Sequence, residues 1–104
     1  MKPIDHFNLR SFDLNLLIAF DALVSERSVT KAARRLRIQQ PAMSHALATL
    51  RMLLADDVLV RTGAVMQPTA KASAMAAHVE ALLSKAQGIL AAADRFDTMP
   101  EKRH

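Results

Sequence analysis

Residues 27–55 read RSVTKAARRLRIQQPAMSHALATLRMLLA, with six basic side chains (Arg27, Lys31, Arg34, Arg35, Arg37, Arg51) and no acidic one. Two short helical patterns lie inside this run. Ser28 suits the N-cap of the first, because its hydroxyl can accept from a first-turn N–H. Behind it Val29, Ala32, Ala33 and Leu36 form a buried face whose small alanines let another helix approach. Arg37 to Gln39 makes a short turn, and Pro41 fits the first turn of the second helix, where its missing N–H costs nothing. There Met43, Leu47, Leu50 and Leu54 fall at offsets of 0, 4, 7 and 11, a core stripe. A compact helix pair in a positive field has what a DNA-reading element needs.

The other side of that second helix holds Gln40, Pro41, Ser44, His45, Ala48 and Thr49. The row is short, polar and free of acids, whereas a merely solvated face alternates Lys and Glu. It can enter a groove.

Working outward, residues 1–12 read as a polar arm, and Asp13 can cap a helix to about Ser25 with Leu16, Leu17, Phe20, Leu23 and Val24 as its stripe. On the C-terminal side, Val58 to Val60 and Val65 to Gln67 read as a small hairpin about a Thr62-Gly63 turn, with Pro68 ending it. Thr69 caps a long helix to about Arg95, roughly 40 Å at 1.5 Å per residue. On that helix Ala72, Val79, Ala86 and Ala93 share one heptad position, Met75, Leu82, Ile89 and Phe96 the other, and Leu83 and Leu90 widen the seam. A small-then-large repeat of this length asks for a helix partner, and a second copy of the chain supplies one. Residues 13–68 are thus expected to form one domain, 69–96 a dimerisation helix and 97–104 a disordered tail.

Composition narrows the field. The 104 residues hold no cysteine and two glycines, which excludes a disulfide framework, a Cys-based zinc site and a Gly-rich phosphate loop. His6, His45, His78 and His104 are scattered away from metal-ligand spacing. Ser44 and His45 are helix neighbours that point in different directions and make no nucleophile–base pair. Asp56-Asp57 lacks a second group to complete a site, and reads as solvation or positioning of the hairpin. No enzyme, cofactor or metal is expected. The net charge of +4 is concentrated: residues 27–79 carry eight Lys or Arg against Asp56 and Asp57. Nucleic acid is the first partner such a field suggests. No run approaches the ~20 apolar residues of a membrane span, the N-terminus lacks a signal-peptide core, and the long helix has balanced charges rather than the basic face of an interfacial helix. A cytoplasmic protein with no membrane partner is the expectation.

Helix, helix–turn–helix, hairpin and long helix in this order give a mainly all-α winged helix-turn-helix. The residues themselves resemble the N-terminal region of LysR-type transcriptional regulators. SVTKAARRLRIQQPAMSHALATL (28–50) has the family's Ala-Ala pair and leucine, then Gln-Pro-Ala and a serine. LLADDVLVRTGAVMQPTAKA (53–72) resembles its wing, with Arg61 and Pro68-Thr69 in their usual places. The likeness covers roughly residues 10–95 and leans toward the nodulation-regulator and aromatic-catabolism branch.

That resemblance implies roles. Gln40, Pro41, Ser44 and His45 match recognition-helix positions in the major groove, and with Thr49 they make the expected base-reading row. A glutamine can read adenine through two hydrogen bonds. Thr30 and Lys31 match positions near phosphate, and Arg61 matches the wing arginine. Ser28, Arg34, Arg35 and Gln39 complete the expected backbone contacts. The resemblance implies pairing through the long helix, antiparallel, by Ala72, Met75, Val79, Leu82, Leu83, Ala86, Ile89, Leu90 and Ala93. Such a dimer would read an interrupted palindrome in double-stranded DNA. Gln39 stands where relatives have a Ser or Thr cap, His45 where many have arginine, and Leu59 where phenylalanine is usual. The family's effector-binding domain is not in this sequence, so no small-molecule effector pocket is expected; a fragment or a regulator without its sensor are the two readings of that. The alternative to a DNA reader is a helical protein-interaction module with an incidental basic face.

Overall fold

The computed structural model describes residues 13–96; the arm read at 1–12 and the tail read at 97–104 lie outside them. Helix α1, Leu14–Glu26, starts where Asp13 Oδ1 accepts from the Leu16 N–H at 3.0 Å. Helix α2, Val29–Leu36, starts where Ser28 Oγ accepts from the Lys31 N–H at 3.1 Å. Helix α3, Gln40–Leu54, has no side-chain cap from Gln39, as expected of a residue that caps poorly. Strands β1, Leu59–Thr62, and β2, Val65–Pro68, form an antiparallel hairpin with Thr62 opposite Val65. Helix α4, Ala70–Phe96, opens on Thr69, whose Oγ1 accepts from the Ala72 N–H at 3.1 Å.

With so few glycines, three helices end on side-chain-bearing residues in the left-handed region: Arg27 (φ 54°), Arg37 (φ 59°) and Ala55 (φ 51°). Each turns its N–H back onto carbonyls of the last turn, which satisfies groups the helix end leaves open.

The core forms where these elements meet. Phe20 and Leu23 of α1, Ala32 and Ala33 of α2, Met43, Leu47 and Leu50 of α3, Val58, Leu59, and Ala72 and Val79 of α4 are all buried. Complete burial of a Phe, Leu or Met contributes about 1.5–3 kcal/mol, so truncating Leu50 to alanine should cost about 2–5 kcal/mol. Among the described residues no helix is long and apolar enough to cross a membrane.

Three local readings change. The first strand starts at Leu59, not Val58, because Val58 has φ 66° and cannot belong to a β ladder. The hairpin loop is Gly63-Ala64 rather than Thr62-Gly63; Gly63 takes the positive φ that the first loop position of a type II′ turn demands. The third concerns the seam of α4. Ala72 and Val79, assigned to a partner helix, are 1% and 5% exposed because they pack into their own domain beside α1. The intermolecular reading of those two positions is corrected, and the unfilled apolar surface lies further along the helix.

Candidate nucleic-acid interface

Because Met43, Leu47 and Leu50 turn one side of α3 into the core, the residues between them must face out. Gln40, Pro41, Ser44 and His45 are all exposed. Their spacing puts them on adjoining rows of one helical face. Thr49 differs: it is half-buried and its hydroxyl donates to the His45 carbonyl at 3.1 Å. That proton is committed to the helix, and apolar contact through the methyl is what remains for Thr49 to offer.

Ser28, Thr30 and Lys31 at the start of α2, Gln40 and Ser44 of α3, and Arg61 of β1 line a single open cleft, with Val65 to Gln67 of the hairpin on its far side. Two hydrogen bonds tie the cleft together. Thr30 Oγ1 donates to Gln40 Oε1 at 3.2 Å, joining α2 to α3. Arg27 donates to Gln67 Oε1 at 3.1 Å, joining the α1–α2 corner to the hairpin. Gln67 is neutral, so Arg27 keeps its full charge for the cleft. Lys31 and Arg61 are exposed, and among the described residues their side chains make no hydrogen bond or ion pair. The result is an uncharged readout row between cations; the one carboxylate in the cleft lining, Glu26, is 3.5 Å from Arg35.

Other assignments are placed differently. Arg35, read as a backbone contact, sits against α1, 3.3 Å from Asp21 and 3.5 Å from Glu26. Its charge is answered inside the domain, which removes it from the set of cations offered to a polyanion. Arg34 is exposed but outside the cleft lining, as are Gln39, Pro41 and His45.

The Asp56-Asp57 pair, expected to solvate or position the hairpin, does place Asp56 at the hairpin base; the part of Arg51 in aiming the hairpin is not read from the sequence. Arg51, on the basic run, donates to the Asp57 carbonyl at 2.8 Å and the Leu59 carbonyl at 3.1 Å, reaching from α3 to the base of β1. Asp56 accepts from the Val58 N–H at 2.8 Å and from Thr69 Oγ1 at 2.5 Å. Leu59 N–H to Asp57 C=O at 2.6 Å closes a γ-turn around Val58, and Thr69 N–H to Val58 C=O at 2.9 Å ties it to α4. Positive φ at a β-branched residue is strained; these bonds hold it in place. The hydroxyl of Thr69 first, and then the Val58 N–H, keep the Asp56 carboxyl below its ordinary value of 3.8. Lys71 Nζ completes the junction by donating to the Leu54 carbonyl at 2.8 Å, at the C-terminus of α3. The one-dimensional signal for this junction was weak: an Asp-Asp pair and a Thr thirteen and twelve positions further on cannot be seen to meet.

Against known proteins, residues 14–73 match the family described as bacterial regulatory helix-turn-helix protein, lysR family. The chain belongs to the LysR family. This LysR-family chain is 43% identical over 91 residues, 88% of its length, to nodulation protein D 2 of Bradyrhizobium elkanii. It is 41% identical over 96 residues, 92% of its length, to the HTH-type transcriptional activator NagR of a Ralstonia species. It spans 28% of the length of the first and 32% of the second. Its fold superposes on a probable transcriptional regulator of Pseudomonas aeruginosa with TM-score 0.73 and 47% identity, over 81% of this chain and 28% of that one. It also superposes on the BenM DNA-binding domain, solved in complex with benA site 1 DNA, with TM-score 0.74 and 29% identity, over 84% of this chain and 98% of that one. A winged helix-turn-helix of the LysR type is therefore the fold, and transcription regulation is the business of its relatives.

Proposed function

We propose that this LysR-family chain binds double-stranded DNA sequence-specifically as a homodimer, and that α4 pairs the two copies on an interrupted palindrome. The observation that carries the DNA reading is the cleft: Gln40 and Ser44 of an exposed, uncharged row on α3, bordered by Lys31 of α2 and Arg61 of β1, neither of which pairs with a carboxylate among the described residues, while the Glu26 carboxylate in its lining pairs with Arg35. Cations at the edges attract phosphate without regard to sequence, while Gln40, Pro41, Ser44 and His45 reach base edges. The likeness to the BenM DNA-binding domain, solved in complex with benA site 1 DNA, supports a DNA partner.

Pairing is supported by what α4 leaves uncovered. Leu82, Ile89 and Leu90 are 48%, 65% and 73% exposed, with Leu83, Ala86 and Ala93 half-buried beside them and Met75 at the margin. A seam of this kind is what one helix presents to another. A dimer reading chromosomal sites acts in the cytoplasm.

Electrophoretic mobility shift with the DNA upstream of its own operon tests the reading. Binding should weaken steeply between 50 and 200 mM salt, by about tenfold or more for each few phosphates neutralised. Gln40→Ala should cost about 1–3 kcal/mol on the bound site and much less on random DNA. Salt-independent binding, or equal losses on both DNAs, would contradict it and leave a protein-interaction module with an incidental basic face.

A further inference from the structure

We infer that Thr30 is a positioning residue that fixes which edge of the Gln40 carboxamide faces the groove, and thereby selects a base offering acceptors, guanine or thymine, rather than adenine. This rests on the proposal that α3 reads DNA. A glutamine carboxamide has one accepting oxygen and one donating NH2 group. To read adenine it must use both at once, donating to N7 and accepting from the N6 amino group. Here the accepting half is engaged within the protein: Thr30 Oγ1 donates to Gln40 Oε1 at 3.2 Å.

A second feature favours the same orientation. Thr30 lies in the first turn of α2, which holds no acidic residue, and this is the positive end of that helix. A carbonyl oxygen is stabilised facing such an end, and an amide NH2 is not. The NH2 group is then the part of Gln40 directed to the major groove. Guanine offers that NH2 group two acceptors, N7 and O6, and thymine offers O4; adenine offers N7 alone, beside an N6 donor that the engaged oxygen of Gln40 no longer meets, and cytosine presents only a donor. Thr30 is β-branched, with few side-chain rotamers to choose from, so it is a stiff anchor for this bond.

The test selects binding sites from a pool of random duplexes, using the chain as it stands and its Gln40→Ala, Thr30→Val and Thr30→Ser variants. Gln40→Ala marks the base position under Gln40 as the one whose preference it erases. Guanine or thymine should dominate that position for the unaltered chain and for Thr30→Ser, which keeps the hydroxyl. Thr30→Val keeps the shape and frees the carboxamide to turn, so adenine should gain there by about fivefold or more, with other positions unchanged. Adenine or cytosine at that position in the unaltered chain would overturn the inference. So would a Thr30→Val variant that weakens all sites alike, or a Gln40→Ala variant that erases no preference. If the unaltered chain selects no sequence at all, the underlying DNA reading fails and takes this inference with it.

Discussion

Lys31 and Arg35 stand four positions apart on α2 and carry the same charge to different ends. Lys31 faces the cleft with no partner among the described residues, while Arg35 spans to Asp21 and Glu26 on α1. On DNA, Lys31→Ala and Arg61→Ala should each lower the slope of log affinity against log salt by about 1. Arg35→Ala should leave that slope unchanged and cost up to about 1 kcal/mol of stability, as exposed ion pairs do; titrations at several salt concentrations beside thermal melts separate the two. The basic run was legible in the sequence, but its division was not, because the carboxylates that claim Arg35 lie on another element. Asp56 gives a pH test. Its native pKa is depressed by Thr69 and the Val58 N–H, so its charged form stabilises the fold above pH 3.8, and that contribution is lost as pH falls from there through the depressed native value. Asp56→Ala should therefore lower the melting temperature at pH 7, and the gap to the unaltered chain should close as the pH drops through this window.

At the level of elements, helix starts could be read closely and helix ends less well. Asp13, Ser28 and Thr69 cap as their side chains predict, each accepting from an N–H three residues on. The ends carry no glycine signal; Arg27, Arg37 and Ala55 take left-handed backbone, closed by N–H bonds to last-turn carbonyls, that their residue types do not announce. Ala55 bears a cost of roughly 1–2 kcal/mol for this conformation, against roughly 0.5–1 for the extra chain entropy of glycine. Ala55→Gly should thus raise stability by about 0.5–1 kcal/mol in chemical denaturation. Gly88 lies mid-helix in α4 with open space where a Cβ would stand. Gly88→Ala should stabilise the helix by about 1 kcal/mol, measured the same way. The hairpin shows where period-two reading stops short. Val58 looks like the first residue of Val-Leu-Val, yet its backbone is bent by bonds to Asp56 and Thr69, contacts that alternation of apolar residues does not encode.

The whole molecule is two unequal uses of one apolar stripe on α4. The heptad pattern is uniform from Ala72 to Ala93, and nothing in it marks where the helix stops serving its own domain. Packing decides that point: Ala72 and Val79 are sealed against the domain, whereas Ile89 and Leu90 lie beyond its reach at 65% and 73% exposure. Leu82→Asp should accordingly yield a folded monomer by sedimentation velocity, with unchanged helix content by circular dichroism. Each copy carries one cleft, so two clefts related by a twofold axis should read two half-sites. The central claim is that α3 reads base edges from within such a dimer. Hydroxyl-radical footprinting of the chain on its selected duplex tests it most directly. The expected result is two protected patches related by twofold symmetry, both lost with Gln40→Ala at concentrations that protect the unaltered complex. A single patch, or protection that ignores sequence and survives Gln40→Ala, would contradict it.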